Sequence, residues 1–227
     1  MTENTQDAAT DLLIQEVDEE LRQEQLQKVW KKYGNLLVGG ALSLVVAVAG
    51  WQAYSGWKTK TRQALSAEYS LALQDLDQGK THEADAILAK LSVDSATGYR
   101  QLAAMKQADL RQKAGDAAAA AALYDSVATN SGSDRLIAEL ARLKSAYLKV
   151  DSADPASMEK DIQPLTAESS PWRHSARELM ALLAMRRADT AKAQEWYAKV
   201  ADDGGAPTAI RTRATEMLAA LSAKPSH

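Results

Sequence analysis

The stretch QGKTHEADAILAKL, residues 78–91, decides the fold, because the chain carries it twice more in altered letters. KAGDAAAAAALYDSVA at 113–128 and RRADTAKAQEWYAKVA at 186–201 align with it when Gly79, Gly115 and Ala188 are superposed. Five residues past that turn position stands an alanine each time: Ala84, Ala120 and Ala193. Four further comes a large apolar residue, Leu88, Tyr124 or Tyr197, and three beyond that Leu91, Val127 or Val200. Steps of four and three put these side chains on one helix face. A degenerate copy has Ala153, Met158, Ile162 and Leu165 in those places. Its Pro164 marks a helix end, since proline inside a helix costs about 3 kcal/mol. Seven residues before the four turn positions stand Ala72, Ala108, Ala146 and Ala181. Alanine at all four is what closely packed helix pairs require, because the small site admits a large residue of the neighbouring helix.

Outward from these turns the composition stays helical. Beyond Trp57 the chain is rich in Ala, Leu, Gln, Lys and Glu, with no alternating β-branched run that reads as a strand. Gly79, Gly98, Gly115 and Gly132 fall 19, 17 and 17 residues apart, one helix and one turn each time. Two such units form a repeat of about 36 residues. Near the C-terminus SSPWRHSARELM opens another helix, with Ser169 or Ser170 as cap, Pro171 at its first position and Leu179, Leu182, Leu183 and Met185 on its apolar side. A last helix, from near Pro207 to about Leu221, closes the stack.

Towards the N-terminus lies LLVGGALSLVVAVAGWQAYSGW, residues 36–57, a run of 22 without a charge in a protein with 25% charged residues. At 1.5 Å per residue it is about 33 Å long, against a hydrocarbon core of about 30 Å. Trp30 and Tyr33 before it and Trp51, Tyr54 and Trp57 at its end place amphipathic rings at both interfaces. The run predicts a transmembrane helix that is retained as an anchor, since 35 residues precede it, too many for the leading region of a signal peptide. Gly39, Ser43 and Ala47, with Gly50 nearby, form a stripe of small residues that would let a partner membrane helix approach closely. Residues 1–11 read as a polar mobile tail and 12–33 as a short surface helix with Ile14, Val17 and Leu21 on one side. Arg22, Lys28, Lys31 and Lys32 before the span outnumber Lys58, Lys60 and Arg62 after it, which favours a cytoplasmic N-terminus. The expected organisation is therefore a tail and short helix over 1–35, a span over 36–57, helical repeats over 58–222 and a C-terminal tail over 223–227.

Charge and composition exclude several chemistries. Up to Asn35 there are eight acidic and four basic residues, and after Trp57 twenty-two acidic and twenty-three basic. The repeats are thus near neutral and lack the basic field that nucleic-acid binding needs. Cysteine is absent, which removes disulfides, thiolate zinc ligands and cysteine nucleophiles. His82, His174 and His227 lie far apart, and no metalloprotease, nucleophile-elbow or phosphate-loop pattern occurs. No cofactor, metal, small-molecule substrate or catalytic residue is expected, and Asp109 and Glu178 read as solvated or arginine-paired carboxylates.

What remains is protein binding. In stacked helix pairs the first helix of each pair lines the concave side. Counting back from the turns places Tyr69, Met105, Leu143 and Glu178 at one equivalent site, and Leu73, Asp109, Tyr147 and Leu182 at another. If these face a groove, it is a mainly apolar track with two carboxylates and no basic clamp, suited to extended apolar segments. The other reading makes Tyr69, Leu143 and Leu182 ordinary core between paired helices.

These features together resemble the ancillary Sec translocon subunit family, whose tetratricopeptide-like domain is shared with cell-division coordinator proteins. The resemblance runs over residues 16–220 and is carried by KVWKKYG at 28–34, the single span from Leu36, PWR at 171–173 leading into AREL at 176–179, and Ala206-Pro207 followed by Arg211, Arg213 and Ala214. It implies an all-α tetratricopeptide-like helical-repeat superhelix preceded by one transmembrane helix. It also implies a bacterial inner-membrane location, a cytoplasmic N-terminus, and periplasmic repeats that work beside the Sec translocon and a membrane-anchored periplasmic chaperone. The alternative is a structural scaffold of an envelope or cell-division complex with no client binding.

Overall fold

The computed structural model describes residues 3–94 and 97–222, and every regular element among them is helical. In order these are α1 (Glu3–Asp77), α2 (Thr81–Asp94), α3 (Thr97–Lys113), α4 (Ala117–Thr129), α5 (Arg135–Lys149), α6 (Pro155–Ile162), a 3₁₀ turn (Gln163–Thr166), α7 (Arg173–Arg186), α8 (Thr190–Ala201) and α9 (Thr208–Ser222). The chain divides into two compact units, Met1–Thr61 and Arg62–His227.

Among the described residues the first unit is helix alone. Where a polar tail over 1–11 and a separate short helix over 12–33 were expected, α1 already begins at Glu3. The reason is local: the first glycine is Gly34 and the first proline Pro155, so nothing before the span breaks a run of good helix formers. Within it, Trp30–Asp77 contains an 18-residue window of mean hydropathy 1.8, none of it buried, so the helix is long and apolar enough to cross a membrane. The hydroxyls there are satisfied by the helix itself: Ser43 Oγ donates to Gly39 O at 2.8 Å and Thr59 Oγ1 to Ser55 O at 2.9 Å. Gly34 is covered by the Trp30 ring, whose nearest atoms lie 3.4 Å from where a Cβ would stand.

The second unit is a stack of antiparallel helix pairs. Its A→B turns repeat one backbone device. Gly79, Gly115 and Ala188 adopt φ of 78°, 83° and 57°. Lys80 N donates to Asp75 O, Asp116 N to Arg111 O and Asp189 N to Ala184 O, so each helix ends in the same left-handed cap. Ala188 holds this conformation without glycine's freedom, at a cost of about 1 kcal/mol. The degenerate turn at Ala153 has no positive φ and closes differently, with Arg186 Nη1 donating to Ala153 O at 2.7 Å and to Val150 O. Asp116, Asp134, Asp154 and Asp189 cap α4, α5, α6 and α8 by accepting from backbone N–H groups of the first turn.

The core is where the repeat alignment put it. Ala84, Ala120 and Ala193 are wholly buried, as are Leu88, Tyr124 and Val200, and Ala72, Ala108 and Ala181. Three clusters follow one another along the stack: Ala72, Leu88, Leu91 and Ala103; then Ala104, Ala108, Ala120, Tyr124, Val127 and Ala141; then a larger one around Leu143, Ile162, Leu179, Leu183 and Tyr197. Pro164 does end α6, and the chain continues as the 3₁₀ turn with Leu165 buried. The start of α7 corrects the expectation. Ser170 Oγ accepts from Trp172 N at 3.2 Å and Ser170 O from Arg173 N, which folds Pro171 into a turn and delays the first helical residue to Arg173.

Candidate partner-binding surface

The first helices of the pairs are the end of α1, then α3, α5 and α7, with α9 closing the stack. Their two predicted rows differ in burial. In the first row Tyr69 and Met105 are half-buried, whereas Leu143 is 4% and Glu178 7% exposed, so these two belong to the interior. In the second row Leu73, Asp109, Tyr147 and Leu182 are all half-buried. Tyr69 stacks at a tilt on Tyr99 with ring centroids 5.9 Å apart. Leu182 and Tyr147 lie against the C-terminal cluster, and Met105 against the middle one. The rows are therefore brought together along one set of helices, with the apolar members seated partly in the core.

The two carboxylates are not free. Asp109 accepts from Lys144 Nζ of α5 and from the hydroxyl of Tyr124 on α4. Burial alone would raise its pKa, but those hydrogen bonds and the charges of Lys144 and Lys106 hold the carboxyl below its ordinary value. Burial and the neighbouring Asp109 raise the Tyr124 phenol correspondingly. Glu178 of α7 is gripped by Arg213 of α9, Nε to Oε1 at 2.8 Å and Nη2 to Oε2 at 3.0 Å, a two-pronged charge-assisted pair. The Tyr147 hydroxyl donates to Ser175 O at 2.8 Å and faces Glu178 Oε2 at 3.1 Å. Burial, then the charge of Glu178, pushes the Tyr147 phenol well above its ordinary range, so it remains a donor. The rows themselves carry no basic residue; Lys144 and Arg213 stand beside them, each already engaged with a carboxylate of the fold.

Beside Asp109 an open cleft of about 790 Å³ is lined by Leu76, Thr81, Lys106, Leu110, Gln112 and Lys113 among others. Its rim is charge-balanced, with Asp77 and Asp109 beside Lys106 and Lys113, and its apolar part is formed by Leu76, Leu110 and Ala114. Other polar groups tie helices together: Asp85 of α2 accepts from Gln107 at 3.1 Å and Arg111 at 2.7 Å, and Asp125 of α4 accepts from Ser145 at 2.6 Å and from Lys149. His174 Nε2 lies 2.8 Å from Asp203, joining α7 to the turn before α9. His82 is exposed, and His227 lies outside the described residues. Among the described residues no group of three His, Cys, Asp or Glu could hold a metal.

Sequence reasoning missed Lys144, Tyr124 and Arg213 as polar partners. A signal existed for a related set: Arg111 and Lys149 both stand four residues before a turn position, and each reaches the carboxylate of the preceding helix. In the first unit, Gly39, Ser43 and Gly50 are exposed, and a Cβ at Gly39 or Gly50 would meet nothing within 4 Å. Ala47 is likewise exposed.

A family model described as a tetratricopeptide repeat-like domain matches residues 27–223. Domains of this kind are in general non-catalytic modules that bind protein partners. Neither curated proteins nor solved structures gave a match to this chain.

Proposed function

The chain belongs to the tetratricopeptide repeat-like domain family, and from that premise we propose that it is a membrane-anchored protein-interaction module. The observation that carries the reading is the wholly exposed apolar window of mean hydropathy 1.8 in α1, which ends only a few residues before the repeats begin at Arg62. An exposed apolar helix of that length has no stable place in water. The proposed arrangement is a single-pass protein of the bacterial inner membrane with residues 1–35 in the cytoplasm and the repeats in the periplasm. There it works as an ancillary subunit of the Sec translocon beside a membrane-anchored chaperone, as the resemblance implies. The proposed partner groove is formed by Tyr69, Leu73, Met105, Tyr147 and Leu182 with the cleft at Lys106 and Lys113. Half-buried side chains of this sort offer edges to an extended apolar segment without leaving the core. The neutralised carboxylates Asp109 and Glu178 support this choice, since neither repels an incoming backbone carbonyl.

Protease applied to spheroplasts tests the topology: the repeats should be digested, and their protection would overturn the reading. An aggregation-suppression assay with residues 59–227 tests client binding. A repeat domain that holds back no unfolded protein would favour the scaffold function instead.

A further inference from the structure

Between the 3₁₀ turn, α7 and α8 lies an open cleft of about 600 Å³, lined by Arg173 and by Arg177, a residue only 5% exposed. Arg177 Nε donates to Thr166 O at 3.1 Å, which uses one donor of the guanidinium. A guanidinium so far out of water requires an anion, because a buried charge left unpaired is strongly penalised. Two carboxylates meet the arginine pair. Asp203 is committed elsewhere: its Oδ2 lies 2.8 Å from His174 Nε2 and its Oδ1 accepts from Gly205 N at 2.8 Å, while Arg173 Nε and Arg177 Nη1 stand further off at 3.4 and 3.6 Å. The other is Glu168, whose Oε1 accepts from Arg177 Nη2 and whose Oε2 lies 3.5 Å from Arg173 Nε.

Glu168 differs from the carboxylates that tie the repeats together. Its side chain is 80% exposed, against 10% for Glu178 and 33% for Asp109. It stands on no helix but in the turn that Ser170 N closes onto Ala167 O at 2.9 Å. Its carboxylate therefore reaches the arginines from the solvent side, one oxygen to each guanidinium, the way a carboxylate of another molecule would. Charge points the same way. Arg173, Arg177 and Lys199 face Glu168, Asp202 and Asp203 across the cleft, a balance that leaves one positive charge in excess once Glu168 swings out. A single incoming carboxylate restores it, and the planar guanidinium fork matches that group in shape. We infer that the Arg173–Arg177 pair is a carboxylate-binding site, occupied here by the chain's own Glu168, and that an acidic side chain or a C-terminal carboxylate of a partner polypeptide takes its place. The cleft adjoins a second of about 380 Å³ that shares Gln163, Trp196 and Lys199 with it and reaches Met180 and Ala184, which leaves room for the residues flanking that carboxylate. This site is separate from the groove of the proposed function and does not depend on it.

The test titrates the full chain, in detergent micelles, with three acetylated hexapeptides in a calorimeter. Ala-Ala-Gln-Glu-Ala-Ala with an amidated end offers an acidic side chain, Ala-Ala-Gln-Ala-Ala-Ala with a free end offers a terminal carboxylate, and amidated Ala-Ala-Gln-Gln-Ala-Ala offers neither. If Glu168 fills the site nine-tenths of the time, a competitor's apparent affinity is cut about tenfold. Glu168→Ala should therefore bind at least one acidic peptide about tenfold more tightly than the wild type, and the peptide it prefers tells side chain from chain end. Adding Arg173→Gln should remove that gain, and the neutral peptide should not bind. Circular dichroism checks folding, and should Glu168→Ala fail to fold, Glu168→Gln keeps the side-chain length and reads the same gain. Equal affinity with and without the Glu168 carboxylate overturns the inference. So does a gain that survives Arg173→Gln, equal binding of the neutral peptide, or no binding of any peptide by a folded Glu168 variant.

Discussion

Truncation of Tyr147 measures how much packing a half-buried residue of the proposed groove contributes. The ring is half-buried against the C-terminal cluster, and its hydroxyl donates to Ser175 O at 2.8 Å within reach of Glu178 at 3.1 Å. Tyr147→Phe keeps the ring and removes one hydrogen bond that also serves a buried carboxylate, a loss of about 1.5 kcal/mol. Glu178 stays held by Arg213, so the larger penalty for an orphaned charge does not arise. Tyr147→Ala removes the ring as well, and because the site is partly open the total falls at the lower end for aromatic truncation, about 3 kcal/mol. For a unit of this size one kcal/mol shifts the melting temperature by roughly 2–4 °C, so the expected decreases are about 3–6 °C for Phe and about 6–12 °C for Ala. Thermal unfolding of residues 62–227 read by tryptophan fluorescence is the assay, since Trp172 and Trp196 sit in the same cluster. If Tyr147→Ala melts with the wild type, the packing argument fails and the residue belongs to an open surface. If Phe is as damaging as Ala, the hydroxyl rather than the ring holds α5 to α7.

Four further outcomes are expected. Ala103, Ala141 and Ala176 each stand twelve residues before a turn position and are wholly buried; Ala103→Leu, Ala141→Leu and Ala176→Leu should each destabilise the repeats by about 1–3 kcal/mol through overpacking, whereas Ala67→Leu at the exposed equivalent should leave the melting temperature unchanged. Ala188→Gly should raise stability by about 0.5–1 kcal/mol, since its φ of 57° is one glycine adopts without strain, and chemical denaturation would measure it. Asp203 is held down to about 2 by His174 and by the Gly205 N–H, so its contribution is present above the ordinary value of 3.8 and lost as the pH falls towards 2; in Asp203→Asn the acid limb of the melting profile should flatten between about pH 4 and pH 2. Gly39→Leu with Ser43→Leu should insert normally, because a Cβ at Gly39 meets nothing in its own chain, yet reduce co-purification of membrane partners; unchanged co-purification would leave the small stripe without a docking role.

The elements that sequence alone determined are those set by local chemistry. The turns at Gly79 and Gly115 follow from the left-handed backbone that glycine permits, and Ala188 joined them only because three copies aligned. The alanine columns at 72 and 108 and at 84 and 120 were legible because a close helix crossing leaves no volume for anything larger. Pro164 ended α6 because a proline has no N–H to continue it, and the apolar window of α1 needs only its own composition to be recognised. Tertiary structure decided which side of each first helix is covered. Leu143 and Glu178 share a repeat position with Tyr69 and Met105, yet the later pair is interior, because α9 and the large C-terminal cluster close over that end of the stack. It also decided the polar partners. Asp109 meets Lys144 and Tyr124, and Glu178 meets Arg213, across 15 to 35 residues of chain, distances over which no helical spacing predicts a contact. Such pairs depend on how far each repeat is rotated against the last, a sum of many packing contacts that no single stretch of letters specifies.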